Sequence, residues 1–149
     1  MPLRVRLTRH GPLLSDVIER PSTALALRWT GHDTDDQTAG TSLRIGVAGN
    51  WTEFVAALSR THAPILNFVY ADIEGNIGYI GPGAFPVRAN GDGRRPMPGW
   101  SGDNEWRGYL HDSEWPRAFN PGRGFIVSAN NKAVPDSFRE AALSLGASR

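Results

Sequence analysis

Two neighbouring side-chain amides, Asn130 and Asn131, are the residues of this 149-residue chain best placed to take part in catalysis. They follow a short apolar run, residues 125–127, from which only Ser128 and Ala129 separate them. If that run is a strand, an amide at its end is fixed by the sheet and faces a cleft, which suits a donor aimed at an oxyanion. The alternative is turn chemistry, because asparagine readily bonds its own backbone.

Ser15, His10 and Asp16 contain the three groups of a serine-hydrolase triad. The chain has no Gly-x-Ser-x-Gly nucleophile elbow, and any chain of this size offers such combinations by chance. We therefore do not predict a triad here.

Residues 33–36, Asp-Thr-Asp-Asp, are the main candidate for metal binding, because alternating carboxylates can gather on one calcium ion. An EF-hand loop that began at Asp33 would need glycine and glutamate where Thr38 and Arg44 stand. We interpret the run as a solvated loop or helix cap. The four histidines form no helical metal pair, since none lies four residues from another: His10, His32, His62 and His111.

The composition and charge limit the classes of protein to which this chain can belong. Hydrophobic residues make up 40% and charged residues 21% of the chain, which is ordinary for a globular domain. The net charge is +1 without a basic run, so we expect no nucleic-acid partner. The absence of cysteine excludes disulfides and thiol catalysis. No apolar run approaches the ~18 residues of a membrane span and no signal peptide is built, so a chain expressed as written is expected to be cytoplasmic.

The elements that must position the candidate side chains are organised around residues 65–80, which predict a β-hairpin. Residues 65–71 are rich in β-branched and aromatic types, Gly75 can adopt positive φ in the turn, and residues 77–80 form the return strand. Both arms are nearly continuous in apolar residues. This pattern favours a strand pair covered on both faces, in the middle of a layered core.

Weaker signals predict the elements before the hairpin. Two short strands joined at a bend are expected within residues 4–14, and a third strand at residues 24–29. A helix is expected at residues 38–47, and a second begins after Asn50 as its N-cap and ends before Pro64.

After the hairpin, glycines and prolines cluster within residues 81–124, which we interpret as a long ordered loop. Residues 124–129 predict a last strand and residues 136–145 a helix. This order predicts a single partial domain over residues 1–149, with an α+β fold and mostly antiparallel pairing. The five tryptophans are expected to fill core and loop-anchor positions: Trp29, Trp51, Trp100, Trp106 and Trp115.

Six ordered motifs resemble the penicillin acylase family. They stand at residues 67–79, 83–88, 98–100, 105–108, 120–121 and 124–131. Residues 8–12 and 26–30 resemble the same family's upstream strands, so the match runs from about residue 5 to residue 136. Motifs in matching order and spacing are far more specific than any single one.

The resemblance implies an N-terminal-nucleophile (Ntn) amidohydrolase with an αββα sandwich, cut from a precursor into two chains. It implies that the larger chain begins with a serine whose α-amino group is the base. An acyl-enzyme then forms on penicillins, cephalosporin side chains or N-acyl homoserine lactones. One backbone N–H and an asparagine side chain hold the oxyanion, and the asparagine matches Asn130. The resemblance further implies a periplasmic or secreted protein and no catalytic cofactor; a structural calcium is compatible with it, but Asp136 is not assigned as a ligand.

The nucleophile is not expected among these residues. Removing Met1 would expose Pro2, which has no hydroxyl to activate, and the Gly40-Thr41 junction falls in the helical region of the chain, not at a processing site. We therefore expect an interior segment of the large subunit, inactive alone, whose partners are the small subunit and the other large-subunit segments. The alternative is a non-enzymatic remnant that binds a partner through its tryptophan-rich loop, residues 81–115.

Overall fold

The computed structural model describes residues 4–18 and 22–129. All strand pairs in this part are antiparallel, so the predicted α+β class is confirmed. None of its helices is long and apolar enough to cross a membrane. The helices are α1 (Thr38–Ile45) and α2 (Trp51–Leu58), and the strands are β1 (Leu7–Thr8), β2 (Gly11–Pro12), β3 (Phe68–Ala71), β4 (Ile77–Ile80), β5 (Pro86–Arg88), β6 (Trp106–Tyr109) and β7 (Arg117–Phe119), with 3-10 turns at Leu14–Asp16, Thr30–His32 and Asp112–Glu114.

Both predicted helices form, and local capping explains where α2 begins. The Asn50 side-chain oxygen accepts from the Glu53 backbone N–H at 3.0 Å, so the predicted N-cap is confirmed. The Glu53 carboxylate in turn accepts from the Gly49 N–H at 2.8 Å. These bonds satisfy backbone donors that the first turn of a helix leaves without partners.

The predicted hairpin is also confirmed. Strands β3 and β4 pair from Phe68 opposite Ile80 to Ala71 opposite Ile77, and Gly75 takes a φ of 85° in the turn. Strand β7 adds to the other side of β4, which gives the sheet order β3-β4-β7. The central strand is therefore β4.

One face of this sheet packs against α2 through Trp51. Its indole ring lies so close to β4 that a Cβ on Gly78 would come within 2.4 Å of it. Phe119 stacks on Trp51 with ring centroids 5.3 Å apart, and Tyr70 contacts it edge-on at 5.4 Å. On β3 the burial alternates, and Val69 on the opposite face is 57% exposed. The expectation that both arms are covered on both faces was thus right for β4 and wrong for β3.

The core lies between α2, the end of β4 and the chain that follows. Its buried members are Leu58, Ile80, Phe85, Leu110 and Trp115. Residues 81–86 are all buried, although two of them are glycine and two are proline. Leu110 N–H donates to the Phe85 carbonyl at 2.9 Å, which ties the entry of β5 to the exit of β6.

Residues 81–124 are not one loop, contrary to the prediction. They contain β5, β6 and β7, and β5 pairs with β6. The low strand propensity of glycine and proline is outweighed here by tertiary packing of Phe85 and Trp115, which fixes the backbone in extended form.

Three smaller predictions differ from the structure or fall outside it. Residues 24–29 make only an isolated bridge, Ala26 with Leu13. Residues 124–129 do not form the predicted strand, and Arg123 Nε donates to the Phe125 carbonyl at 3.0 Å. The predicted helix at 136–145 lies outside the described residues.

Replacing Leu58 with alanine should destabilise the protein by about 2–5 kcal/mol, because this fully buried side chain leaves a cavity in the core. The matched control is Leu43→Ala, the same change at a helical position that is 79% exposed, which should alter stability by no more than about 0.5 kcal/mol. Urea unfolding followed by circular dichroism measures both. Equal losses for the two variants would show that the core does not lie where we describe it.

Candidate functional site

The predicted oxyanion donor, Asn130, and its neighbour Asn131 lie outside the described residues. The chain is described up to Ala129, and it approaches Asn130 through residues 125–128, which belong to no strand or helix. Phe125 is 55% exposed and Val127 is 65% exposed. Asn130 therefore follows an exposed segment of irregular backbone, and its predicted role is not tested by these contacts.

Asn120 fixes the point at which that segment leaves the sheet. Its backbone has a φ of 45°, a left-handed conformation that asparagine tolerates better than most residues. Its side-chain oxygen accepts from the Ile77 N–H at 2.9 Å, and its side-chain nitrogen donates to Asn76 Oδ1 at 2.8 Å. Its own N–H donates to the Ile77 carbonyl at 2.9 Å. The last turn of chain before residues 121–129 is thus tied to the start of β4.

The hairpin turn supports this anchor from the other side. The Asp72 carboxylate accepts from the N–H groups of Glu74 and Asn76, from the Asn76 side chain and from the Tyr70 hydroxyl. These donors, the Asn76 side chain foremost, hold the pKa of Asp72 below its ordinary value. Asn76 is therefore held between Asp72 and Asn120, and it joins the turn to the exit of β7.

A second polar cluster joins the N-terminal hairpin to the chain before β6, and we call it the Glu105 clasp. Glu105 Oε1 lies 2.8 Å from His10 Nε2 and 2.9 Å from Arg9 Nη2. Arg9 Nη2 also donates to the Gly99 carbonyl at 2.8 Å. The hydrogen bond from His10, with the positive charges nearby, holds the pKa of the Glu105 carboxyl below its ordinary value.

Arg28, Asp33 and Tyr109 form a neighbouring network. Arg28 Nη1 lies 3.0 Å from Asp33 Oδ1, and the Tyr109 hydroxyl donates to the other Asp33 oxygen. Partial burial, followed by the bond to Asp33, raises the pKa of Tyr109 to about 12. The Arg28 guanidinium lies 4.4 Å from the centroid of the Trp106 ring.

These two networks border a polar cavity of about 400 Å³. Its walls carry several basic side chains but only one carboxylate. The lining residues are Arg9, His10, Arg28, Asn104, Glu105 and Trp106. Arg9 and His10 are paired with Glu105, and Arg28 is paired with Asp33, which is not part of these walls. The cluster therefore acts as a tie between chain segments, and its contacts give no sign of an activated nucleophile.

The three groups of the discounted triad are not assembled. The Asp16 carboxylate is paired with the Arg6 guanidinium, Ser15 Oγ accepts from the Leu25 N–H at 3.3 Å, and His10 is bound to Glu105. Each of the three thus has a different partner.

Residues 33–36 act as the predicted loop and helix cap. Asp36 Oδ1 accepts from the N–H of Thr38, the first residue of α1, at 2.9 Å, and Asp33 is engaged by Arg28. Within residues 4–18 and 22–129 no three histidine or carboxylate side chains are grouped as metal ligands.

Comparison with known proteins identifies the class to which this fold belongs. A penicillin G acylase from Alcaligenes faecalis, a thermostable enzyme solved in an orthorhombic crystal form, superposes with a TM-score of 0.77 at 34% sequence identity. The match covers 89% of this chain and 24% of that chain. The fold is that of an Ntn hydrolase, as the sequence motifs predicted.

The sequence comparisons give the family. The penicillin amidase family model matches residues 1–148. A penicillin acylase 2 proenzyme of Pseudomonas sp. (strain SE83) is 35% identical over 130 residues, and the penicillin G acylase of Escherichia coli is 36% identical over 131. The acyl-homoserine lactone acylase QuiP of Pseudomonas fluorescens (strain Pf-5) is 34% identical over 134. The chain belongs to the penicillin amidase family.

The match covers most of this chain but a small part of each relative. It takes in 87% of this chain for the two penicillin acylases and 88% for the lactone acylase, yet only 15–16% of the length of those three relatives. This chain therefore corresponds to only a small segment of a complete enzyme of the family.

Sequence reasoning missed Asn120 and the Glu105 clasp as positioning groups. A signal for Asn120 was present, because an asparagine followed directly by proline is typical of a turn. For the clasp there was none, since His10 and Glu105 are 95 residues apart and only the fold brings them together.

Replacing Glu105 with glutamine should cause a pH-dependent loss of stability. The folded-state pKa of Glu105 is depressed, so its carboxylate stabilises the fold above the unfolded-state value, ordinarily near 4.5. This contribution is lost as the pH falls through the lower folded-state pKa. The Tm difference between wild type and Glu105→Gln should thus be present at about pH 6, shrink as the pH falls below about 4.5, and vanish below the folded-state pKa.

The matched control is Glu74→Gln, at an exposed carboxylate in the β3–β4 turn. Its Tm difference from wild type should change little over the same pH range. A Glu105→Gln difference that stayed constant with pH would mean that the carboxylate charge does not stabilise the clasp.

Proposed function

We propose that this chain is a segment of the large subunit of an acylase that hydrolyses the amide of acylated amines through an acyl-enzyme. The observation that carries the proposal is the agreement of the sequence comparison with the fold comparison. The family model spans residues 1–148, and the penicillin G acylase fold covers 89% of the chain at a TM-score of 0.77.

Asn130 is the oxyanion donor in this proposal. Its support is chemical and positional: a side-chain amide N–H can donate to the oxygen that becomes negative during attack on an amide. The anchor at Asn120 holds the chain ten residues upstream to the central sheet. A donor must lie close to the developing charge before the reaction begins, so the position of Asn130 decides whether it can act.

Two acyl-amide substrate classes are proposed, and they follow from the relatives. Some are named penicillin acylases and others acyl-homoserine lactone acylases, at 34–36% identity to this chain. Both names describe removal of an acyl group from an amine. We propose that bond class and not one acyl group.

The proposed partners are the small subunit and the remaining large-subunit segments. The three-stranded sheet favours this, because the face that α2 does not cover exposes Val69. In an αββα sandwich, a sheet has helices on one side and a second sheet on the other. A periplasmic or secreted location is proposed on the resemblance alone.

The rival function, a binding module built on the tryptophan-rich loop, has one observation in its favour. Trp100 is 80% exposed, as few tryptophans in a folded chain are. Trp115 in contrast is buried in the core, and Trp106 lies against Arg28. The loop is therefore partly structural, and the acylase proposal explains more of the chain.

The 149-residue chain by itself should hydrolyse neither penicillin G nor an N-acyl homoserine lactone. The physical reason is that the candidate triad of Ser15, His10 and Asp16 is not assembled. The Ser113 hydroxyl lies 2.7 Å from His111 Nδ1, but both belong to the cap of the Asp112–Glu114 turn. A chromogenic acyl-anilide assay with the purified chain measures this. Turnover that persisted in Asn130→Ala and co-purified with the chain would reveal a different active site.

Asn130→Ala should lower kcat by about 10²–10³-fold in an active chimera, the usual cost of removing one oxyanion donor. The chimera carries residues 1–149 in place of the matching segment of the Alcaligenes faecalis penicillin G acylase, which supplies the nucleophile. KM should change much less, because the donor acts on charge that develops only during attack. Steady-state kinetics with penicillin G measures both constants, after circular dichroism has established that the variant is folded.

Asn131→Ala is the matched control, the same substitution at the next residue, and it should cost far less in kcat. If the two variants lost activity equally, or if Asn130→Ala acted through lost stability, Asn130 would not be the oxyanion donor. The pair would then have the turn role that its local sequence also permits.

A further inference from the structure

The loop that joins β5 to β6, residues 89–105, contains the one Asn-Gly pair of the sequence, Asn90 and Gly91. Asparagine deamidates most readily before glycine, because glycine has no Cβ to shield its backbone nitrogen from the neighbouring side-chain amide. Every other asparagine of the chain is followed by a larger residue. The sequence therefore singles out Asn90 for this chemistry.

The fold leaves the pair open to water. Both residues are exposed, and they lie in a stretch of chain that belongs to no strand or helix. Gly91 has a φ of 73°, a left-handed conformation that favours glycine, so the turn requires the residue that makes Asn90 reactive. Within residues 4–18 and 22–129 the Gly91 N–H donates to no acceptor, so no hydrogen bond must break before this nitrogen reacts.

The Asn90 side chain closes the loop with one hydrogen bond. Its nitrogen donates to the Asp103 carbonyl at 2.6 Å, beside the backbone bond from the Ala89 N–H to the Glu105 carbonyl at 2.9 Å. This contact requires the amide, because a carboxylate at residue 90 has no N–H and would place a negative oxygen against the carbonyl oxygen. The loop is thus sensitive to the chemical state of one side chain.

Two neighbouring residues in the loop provide comparisons. Asp92 also precedes a glycine, but its carboxylate accepts from the Arg94 N–H at 2.9 Å, and an ionised carboxylate is a poor electrophile. The Asn104 side-chain nitrogen donates to the Pro98 carbonyl at 2.9 Å, much as Asn90 donates to Asp103, yet a glutamate follows it. Asn104 is therefore an internal control for the effect of the glycine.

We propose that Asn90 is a site of spontaneous deamidation, in which the Gly91 nitrogen attacks the side-chain amide and the bond to Asp103 is lost. The Gly91 nitrogen gives up its proton to water or hydroxide and forms a bond to Asn90 Cγ, while Nδ2 takes up a proton and leaves as ammonia. Water then opens the cyclic succinimide at either carbonyl, which gives aspartate or isoaspartate at residue 90. One water is consumed and one ammonia released, without oxidation or reduction. The inference does not depend on the acylase function.

Peptide mass mapping of the 149-residue chain after incubation at mildly alkaline pH tests the proposal, since hydroxide promotes loss of the Gly91 proton. Trypsin places the two asparagines in separate peptides, because it cleaves after Arg88 and Arg94. The converted fraction of Asn90 should exceed that of Asn104 at least about fivefold, because glycine alone leaves the attacking nitrogen unshielded. The product should separate into aspartate and isoaspartate forms of equal mass.

Equal conversion of Asn90 and Asn104 would overturn the proposal, because the glycine would then have no effect. The same mapping on the chain in urea gives a second comparison. Conversion of Asn90 only in the unfolded chain would also overturn the proposal, because the folded loop would then protect the pair.

Deamidation should lower the Tm of the chain by roughly 2–4 °C, the effect expected for one lost hydrogen bond in a protein of this size. Asn90→Asp supplies one product directly and should show this shift before any incubation. The matched control is Asn90→Ser, which has no amide carbon to attack, so its Tm should stay constant while that of the wild type falls.

A wild-type Tm that did not change after Asn90 had converted would show that the reaction releases no stabilising contact. An equal fall in the Tm of Asn90→Ser would show that the change arises elsewhere in the chain. Either result would overturn the proposed loss of the bond to Asp103. If neither variant folded, the mapping on the wild-type chain would still decide whether Asn90 is the site.

Discussion

The close contact between Trp51 and Gly78 is the constraint on which the rest of the structure depends. The indole ring lies against the backbone of the central strand, where any side chain on residue 78 would collide with it at 2.4 Å. Because Phe119 and Tyr70 meet the same ring, one tryptophan fixes the distance between α2 and all three strands. The core residues Leu58 and Ile80 are buried by the same approach.

The position of the candidate site follows from that sheet. Strand β7 can add to β4 only in a register set by Phe119 opposite Gly78, where the ring also stacks on Trp51. Asn120 is the next residue, and its bonds to Ile77 and Asn76 hold the chain as it turns out of the sheet. Packing on the helix side thus determines where the chain leaves the sheet.

Sequence reasoning succeeded where the determinants are local and failed where they are distant. The hairpin and α2 were predictable because Gly75 and the Asn50 cap act within a few residues. Strands β5, β6 and β7 were missed because glycine and proline predict loops, whereas burial of Phe85 and Trp115 imposes extended backbone. The predicted strand at 124–129 is wrong although these residues include an apolar run. Composition alone does not decide whether a segment pairs with a neighbouring strand.

The same distinction applies to the site. The motif that implies the role of Asn130 is contiguous, so it could be recognised from the sequence. The Glu105 clasp joins residues that are 95 positions apart in the chain, His10 and Glu105, which have no common motif.

The contacts around the clasp contribute less free energy than the core, so the two regions should differ in stability. Residues 22–33 bury only Thr30 fully, so this segment depends mainly on backbone bonds and on ion pairs such as Arg28 with Asp33. Partly exposed pairs of this kind are worth about 0–1 kcal/mol each, whereas one fully buried leucine contributes about 2–5 kcal/mol. The N-terminal hairpin and residues 22–33 should therefore open before the β3-β4-β7 sheet and α2. Arg28 lies in the wall of the polar cavity, so this cavity would lose its shape at the first step of unfolding, while the anchor at Asn120 would persist with the sheet.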